Sequence, residues 1–518
     1  MASYYAVLLD VTGIQEYVFS SSKLKDNLGA SYIVKEIYSG CKSSCDRFGY
    51  EGGGNALLFF EKLSDAENYV KNWTTRVLIE APGLTVVTAI SEKVIDENNF
   101  ENESEFKKFK DDLFRKLSTN KNCYSPITNI LAHGINEDCP RTGMPAEVWH
   151  EDSAGDDNFS GYVSSIVKTK LNVVEIAIEE ILTDYREIIG DYKFPSSFDE
   201  LGYSKGEESR LAIVHIDGNE IGNSFNSCKT LSEIQNLSNE LTSAINDSFI
   251  KLLEHIICNY EKIIKSITSS NSKEHIGTIL KSKLLPIRPI IIGGDDITFV
   301  CDGRLGIYFA KIFVESFEKN SLSIGGNPTA CAGVAITKLK YPFAKGYKLS
   351  SELCSNAKNY RMEFKKSKEN IDSGSWIDFH LSHGGVIGNL VEIREKSFTA
   401  PEGRLCMRPY KVDDTLSENS LGLLIKKTKE FVKQINSNEE KNLGKSRVMK
   451  LREILTEGSV IISEFIEELD FRQICLPKYS ENAYDRKLFV DQKTPYFDLI
   501  ELMELYPDFE LEMNKKNE

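Results

Sequence analysis

The chain has no apolar run long enough to cross a bilayer, no secretory leader and no surplus of basic charge. The first two absences predict a cytoplasmic protein with reduced cysteines and no membrane partner. The third is quantitative: 63 Lys and Arg stand against 78 Asp and Glu in 518 residues, a formal net charge of −15. No global basic field gathers nucleic acid, so any contact with RNA rests on local patches such as Lys426-Lys427 and Lys441 to Arg452. The 11 cysteines lack framework spacing, which argues against disulfide staples, and none sits in a pattern suited to a thiol nucleophile. With 41% hydrophobic residues, the chain can fill roughly two to four ordinary domain cores.

What is present is a pattern of carboxylates. Gly293-Gly294-Asp295-Asp296 lies between Pro289-Ile290-Ile291-Ile292 and Ile297-Thr298-Phe299-Val300, two strand-like runs that predict a tight hairpin. Glycine there permits the turn and a close approach of backbone to ligand. Gly and Asp are ordinary turn residues, so a solvated turn is the competing reading. A second signal tips the balance. The apolar run Leu211 to Ile216 delivers Asp217 at its end, followed by Gly218-Asn219. A strand-end aspartate beside a hairpin pair is the donor set a two-metal nucleotidyl-transfer site needs, with Mg²⁺ or Mn²⁺ as the ion. Helix-like Leu305 to Phe317, strand-like Thr329 to Ile336 and a helix carrying Ala357-Lys358 complete a ferredoxin-like palm.

The pattern occurs twice. Tyr4 to Leu9 leads into Asp10, and Gly52-Gly53-Gly54-Asn55 opens the apolar run Ala56 to Phe60. We pair Asp10 with Asp217, and Gly53-Gly54-Asn55 with Gly293-Gly294-Asp295. The first copy has lost its turn carboxylates.

These residues resemble the palm-domain large subunit of type III CRISPR effector complexes. The resemblance is carried by Asp10-Val11-Thr12-Gly13-Ile14-Gln15-Glu16-Tyr17-Val18-Phe19, Ser22-Lys23-Leu24 with Gly29-Ala30-Ser31, Cys139 to Ala146, Asp217-Gly218-Asn219 and the Gly-Gly-Asp-Asp turn. It implies an α+β chain of two ferredoxin-like, nucleotidyl cyclase-like palms with a helical linker and a C-terminal helical domain. The expected bounds are 1–118 for the degenerate first palm, 119–204 for the linker, 205–398 for the catalytic palm and 399–518 for the helical domain. It implies synthesis of cyclic oligoadenylate from ATP in antiviral defence, with Asp217, Asp295 and Asp296 as catalytic metal ligands. Gly218, Asn219, Gly293, Gly294 and Lys358 would contact nucleotide, and Asn55, Ser22 and Ser31 would hold the partner nucleotide on the first palm without metal. Guide and target RNA, CRISPR-type subunits and a downstream effector reached through the cyclic nucleotide are the implied partners. An effector subunit that mainly scaffolds RNA and a catalytically silent nucleotide sensor are the alternatives.

Departures from the family pattern shape further expectations. No His-Asp pair stands near the N-terminus, His150-Glu151-Asp152 being the nearest, so no DNase activity is expected. Thr142 stands where a Cys-x-x-Cys pair starting at Cys139 needs its second cysteine. Cys123, His133 and Cys139 are irregularly spaced, and no zinc is expected. His380 and His383 read as edge-strand and turn residues, and His215 as packing beneath the site. Arg408 reads as a pin at the entrance of the helical domain.

Overall fold

The computed structural model describes residues 2–123, 137–151, 159–201, 209–268, 279–367, 373–382, 388–415, 417–436, 443–474, 476–480 and 487–512. His133, Asp152, His383 and Lys441 lie outside the described residues. Each palm starts with a long central strand. In the first palm, β1 (Ser3–Thr12) leads to α1 (Leu24–Glu36), β2 (Arg47–Gly52), β3 (Asn55–Phe60), α2 (Leu63–Glu80) and β4 (Thr85–Ile90), then to α3 (Glu103–Cys123). The sheet order is β2-β3-β1-β4, all antiparallel. After two linker helices, α4 (Ser165–Asn172) and α5 (Val174–Ile189), the second palm repeats the order. It comprises β5 (Arg210–Gly218), α6 (Leu231–Cys258), β6 (Ile287–Gly293), β7 (Asp296–Asp302), α7 (Gly306–Phe317), β8 (Ala330–Lys338) and α8 (Phe343–Ser367). Its sheet runs β6-β7-β5-β8, extended by β9 (Trp376–Leu381), parallel to β8, and by β10 (Tyr410–Lys411). The sheet thus takes a strand from beyond residue 398, and α3 runs past residue 118.

The apolar stripe on α6 shows why these helices form where they do. Leu237, Leu241, Ile245, Phe249 and Leu252 recur at helical spacing and are all at most 3% exposed, so the stripe is core. A capping box starts the helix: Thr230 accepts from the Glu233 amide while the Glu233 carboxylate accepts from the Thr230 amide. The periodicity predicts a single helix from Leu231 to Ile267, but the structure breaks it at Asn259. The Asn259 amide donates back to the His255 carbonyl at 3.1 Å, the local competition that makes Asn a poor interior helix residue.

The palms face each other through exchanged helices. From α6, Gln235 donates to the Gly49 carbonyl at 2.7 Å and Ser238 to the Glu51 carbonyl at 3.0 Å, tying the second palm to β2 of the first. Conversely, α1 packs on β6. Phe19 of the first palm stacks on Tyr347 of α8 at 3.7 Å. The linker closes on the first palm as well. Arg141 pairs with the fully buried Asp26 at 2.6 Å, and Cys139 closes a tight turn, its amide donating to the Met144 carbonyl at 2.7 Å. Beyond residue 399 the chain is mainly helical, with α9 (Leu421–Asn436), α10 (Gly444–Ile454), α11 (Ser459–Phe471) and α12 (Tyr496–Leu505).

Candidate functional site

Asp217 and Asp296 stand directly opposite each other on the adjacent central strands β5 and β7. Neighbours across an antiparallel pair lie on one face, so the strand register alone brings the two carboxylates together. Gly293 pairs with Asp296 to close the hairpin, leaving Gly294 and Asp295 as its tip. The Gly218 amide donates to the Asp295 carbonyl at 2.9 Å, fastening the tip to the end of β5. Gly294 adopts φ +65°, and a Cβ there would lie 2.9 Å from Gly53 Cα. The tip of one palm's hairpin therefore touches the tip of the other's, and only glycine allows that approach.

The first palm carries the same construction. Asp10 pairs with Asn55 as Asp217 pairs with Asp296, and Gly52 with Asn55 as Gly293 with Asp296. The Val11 amide donates to the Gly54 carbonyl, as Gly218 does to Asp295. These registers correct the sequence pairing by one residue: Asn55 corresponds to Asp296 and Gly54 to Asp295. Sequence matching put the longer glycine run in phase with the wrong residue, and hydrogen-bond register resolves it.

These carboxylates repel one another. Burial, with Asp295 and Asp217 adding to it, pushes Asp296 up to about 8, even with the Gln15 side chain of the first palm bonding to it. Burial and then Asp217 raise Asp295. Lys358, projecting from α8, meets Asp217 Oδ2 at 2.7 Å and the Gly218 carbonyl at 3.0 Å. Burial, the largest single influence, lowers its pKa, but Asp217 with Cys354 and Cys331 together outweigh it and the net shift is upward. The helix is held close by Gly333 on β8, where a Cβ would lie 1.9 Å from the Ser350 carbonyl. The donors, carboxylates and a backbone carbonyl, suit a hard divalent cation. Among the described residues, though, no three His, Cys, Asp or Glu side chains converge as a ready ligand set, and Lys358 occupies Asp217.

His215 lies one row beneath. It is 3% exposed and its Nδ1 faces the Thr298 hydroxyl at 3.1 Å, the packing position expected from sequence. Burial lowers it to about 4. The folded side chain thus stays neutral while its unfolded counterpart takes up a proton below about pH 6.5. The unfolded state binds more protons across that window, so this contribution, complete above pH 6.5, is lost as pH falls toward 4. The unfolding free energy of wild type, from urea melts, should fall between pH 6.5 and 4 by more than that of His215→Gln, a difference on the order of 3 kcal/mol. Parallel free energies would refute this.

Other expected residues are placed differently. A cavity of ≈ 290 Å³ between the palms is lined by Gly53 and Asn55 on one side and by Gly294, Asp295, Gly222 and Phe225 on the other. Asn219 borders a second cavity with Arg361 and Lys365, and its side chain donates to the Thr329 hydroxyl at 3.0 Å. Ser31 is half-buried on α1, the helix that packs on β6. Ser22 lines a separate cavity with Leu211 and Ile213. Leu211 is six residues before Asp217, about 20 Å along the strand, so the structure does not bring Ser22 to the carboxylates. His380 is buried on β9. Lys121 went unnoticed in the sequence: it pairs with Asp10 Oδ2 at 2.7 Å from the helix following β4, as Lys358 does from the helix following β8. Carrying the internal repeat one helix further would have found it.

Residues 210–367 match the family model described as Cas10/Cmr2, second palm domain. This segment is similar to a Cas10/Cmr2 second palm. No curated protein matches the sequence. A chain of the Csm1-Csm4 cassette in complex with cA3 matches with TM-score 0.54 at 13% identity, over 97% of this chain and 70% of that one. The cassette in complex with one ATP gives the same TM-score and identity over 98% and 70%. Csm1 in T. onnurineus gives 0.52 at 14% identity over 98% and 70%. At these identities the fold is what is shared: the chain has the two-palm α+β architecture of the Csm1 chains it matches, and residues 210–367 are its Cas10/Cmr2-like part.

Proposed function

We propose that this chain is a metal-dependent nucleotidyltransferase that converts ATP into cyclic oligoadenylate-type second messengers in antiviral defence. The observation that carries the reading is the register pairing of Asp217 with Asp296, beside Asp295, at hairpin tips where two palms meet. The ligands bound in two of the structural relatives, ATP and cA3, support it. Asp217, Asp295 and Asp296 would hold Mg²⁺ or Mn²⁺. When bound, such ions favour ionisation of an attacking hydroxyl and neutralise charge on the transferring phosphate. Gly293 and Gly294 leave the backbone open to a nucleotide, and Lys358 stands within reach of its phosphates. Gly218 and Asn219, the latter bordering the neighbouring cavity, would contact the nucleotide from the end of β5. Asn55 and Gly53 face the inter-palm cavity from the metal-poor palm and would seat the second nucleotide. A ribose hydroxyl of one ATP then attacks the α-phosphate of the other, pyrophosphate leaves, and ring closure ends the series.

The decisive test incubates the purified chain with α-labelled ATP and Mg²⁺ or Mn²⁺, with and without guide and target RNA. Phosphatase-resistant products support the reading. Absence of product under every condition, with the chain folded, overturns it. The cassette matches favour a second role, as a subunit paired with a smaller CRISPR-type protein; co-purification with such a subunit and RNA would support it.

A further inference from the structure

In both palms a lysine sits on the strand-end aspartate. Lys358 Nζ lies 2.7 Å from Asp217 Oδ2, and Lys121 Nζ lies 2.7 Å from Asp10 Oδ2. Both lysines come from the helix that follows the fourth palm strand, and both aspartates stand opposite the first residue of the returning hairpin strand. The pairing persists in the palm that has Gly54 and Asn55 where the other has Asp295 and Asp296. It is therefore a property of the palm fold, independent of the carboxylate cluster. In the second palm the lysine also has a second partner that matters: its ammonium donates to the Gly218 carbonyl at 3.0 Å. Asp217 Oδ2 and the Gly218 carbonyl are the oxygen donors that the end of β5 offers to a hard cation, and Lys358 holds both.

An ammonium and a divalent cation cannot share those oxygens, because at contact distance like charges repel strongly even in a partly solvated cleft. We propose that Lys358 is a resident counter-ion of Asp217, and that a divalent cation enters this site together with a nucleoside triphosphate, whose phosphates draw the lysine away. The inference rests on the nucleotidyl-transfer reading above. It gives Lys358 two partners in succession, Asp217 and then phosphate, and it prevents the site from being filled by metal alone. In the first palm Asp10 has the same counter-ion, but Asn55 and Gly54 supply no carboxylate to attract a competing cation. Lys121 accordingly stays on Asp10, and the two palms differ in cation uptake chiefly through two turn residues.

The test is Mn²⁺ binding to the full chain, followed by paramagnetic resonance of the free ion. Without nucleotide, Lys358→Met should bind Mn²⁺ at least about tenfold tighter than wild type, with Lys358→Gln behaving alike. The same variants should bind a non-hydrolysable ATP analogue, offered without metal, more weakly than wild type. A damaged site weakens both ligands, so opposite signs identify the counter-ion role. Adding the analogue should raise Mn²⁺ affinity more in wild type than in Lys358→Met. Unchanged or weaker Mn²⁺ binding by both variants overturns the inference. Asp295→Ala/Asp296→Ala, measured with the analogue present so that the wild-type site takes up the ion, separates the two levels. Loss of Mn²⁺ binding there keeps the metal-site reading even if the lysine variants fail, whereas wild-type binding overturns that reading and the counter-ion role with it.

Discussion

Replacing Asp295 and Asp296 together with alanine should reduce nucleotidyl transfer by about 10³-fold or more while leaving the fold intact. Losing one preorganised electrostatic group costs roughly 10²–10³ in rate, and this change removes the opposed partner of Asp217 together with the tip carboxylate. The substitution also relieves strain. Burial and mutual repulsion hold Asp296 near 8, so removing the two acids should not lower the thermal midpoint. A rate assay with labelled ATP, run beside a thermal melt, checks both halves. A variant retaining more than a tenth of wild-type activity would show that the chemistry lies elsewhere. ATP binding retained with turnover lost would place the defect at the reacting phosphate rather than in substrate capture.

Arg408→Ala should destabilise the chain by about 3–5 kcal/mol, the range for breaking a buried ion pair from one side. The guanidinium is 1% exposed and meets Asp498 at 2.8 Å, Glu501, and the Phe379 carbonyl at 2.8 Å. Asp498 also accepts from the Tyr410 hydroxyl at 2.6 Å and the Met407 amide at 2.8 Å. Deleting the arginine leaves two carboxylates buried at the seam between β9 and α12. Urea unfolding should show the lowered midpoint, and limited proteolysis should release the C-terminal helices before the palms are cut. Arg408→Lys should recover only part of the loss, since an ammonium cannot reproduce the planar fork that spans both acids. A wild-type midpoint for Arg408→Ala would mean that the helical domain is held by its apolar contacts alone.

Much of this organisation is legible in the residues. The duplicated order of strand, helix, hairpin, helix and strand follows from apolar periodicity and glycine placement, and both copies fold as read. The stripe on α6 is core because five apolar residues at helical spacing have no other way to leave water. Helix ends were less legible. Asn259 divides the helix that periodicity predicts from Leu231 to Ile267, through local backbone chemistry that periodicity does not report. Ser22 shows the limit of motif reading: it is near the first palm in sequence, yet its cavity opens at the far end of β5.

The sequence by itself determined the carboxylates, the glycines beside them and the doubling of the palm, because turn chemistry and alternation are written over a few adjacent residues. Tertiary structure alone decided which residues oppose which. Asn55 stands in the place of Asp296 rather than Asp295, Gly53 meets Gly294 tip to tip, and Lys121 answers Lys358. Those relations depend on strand register and on helices that cross between palms, and a one-residue slip, invisible to composition, turns every side chain to the other face.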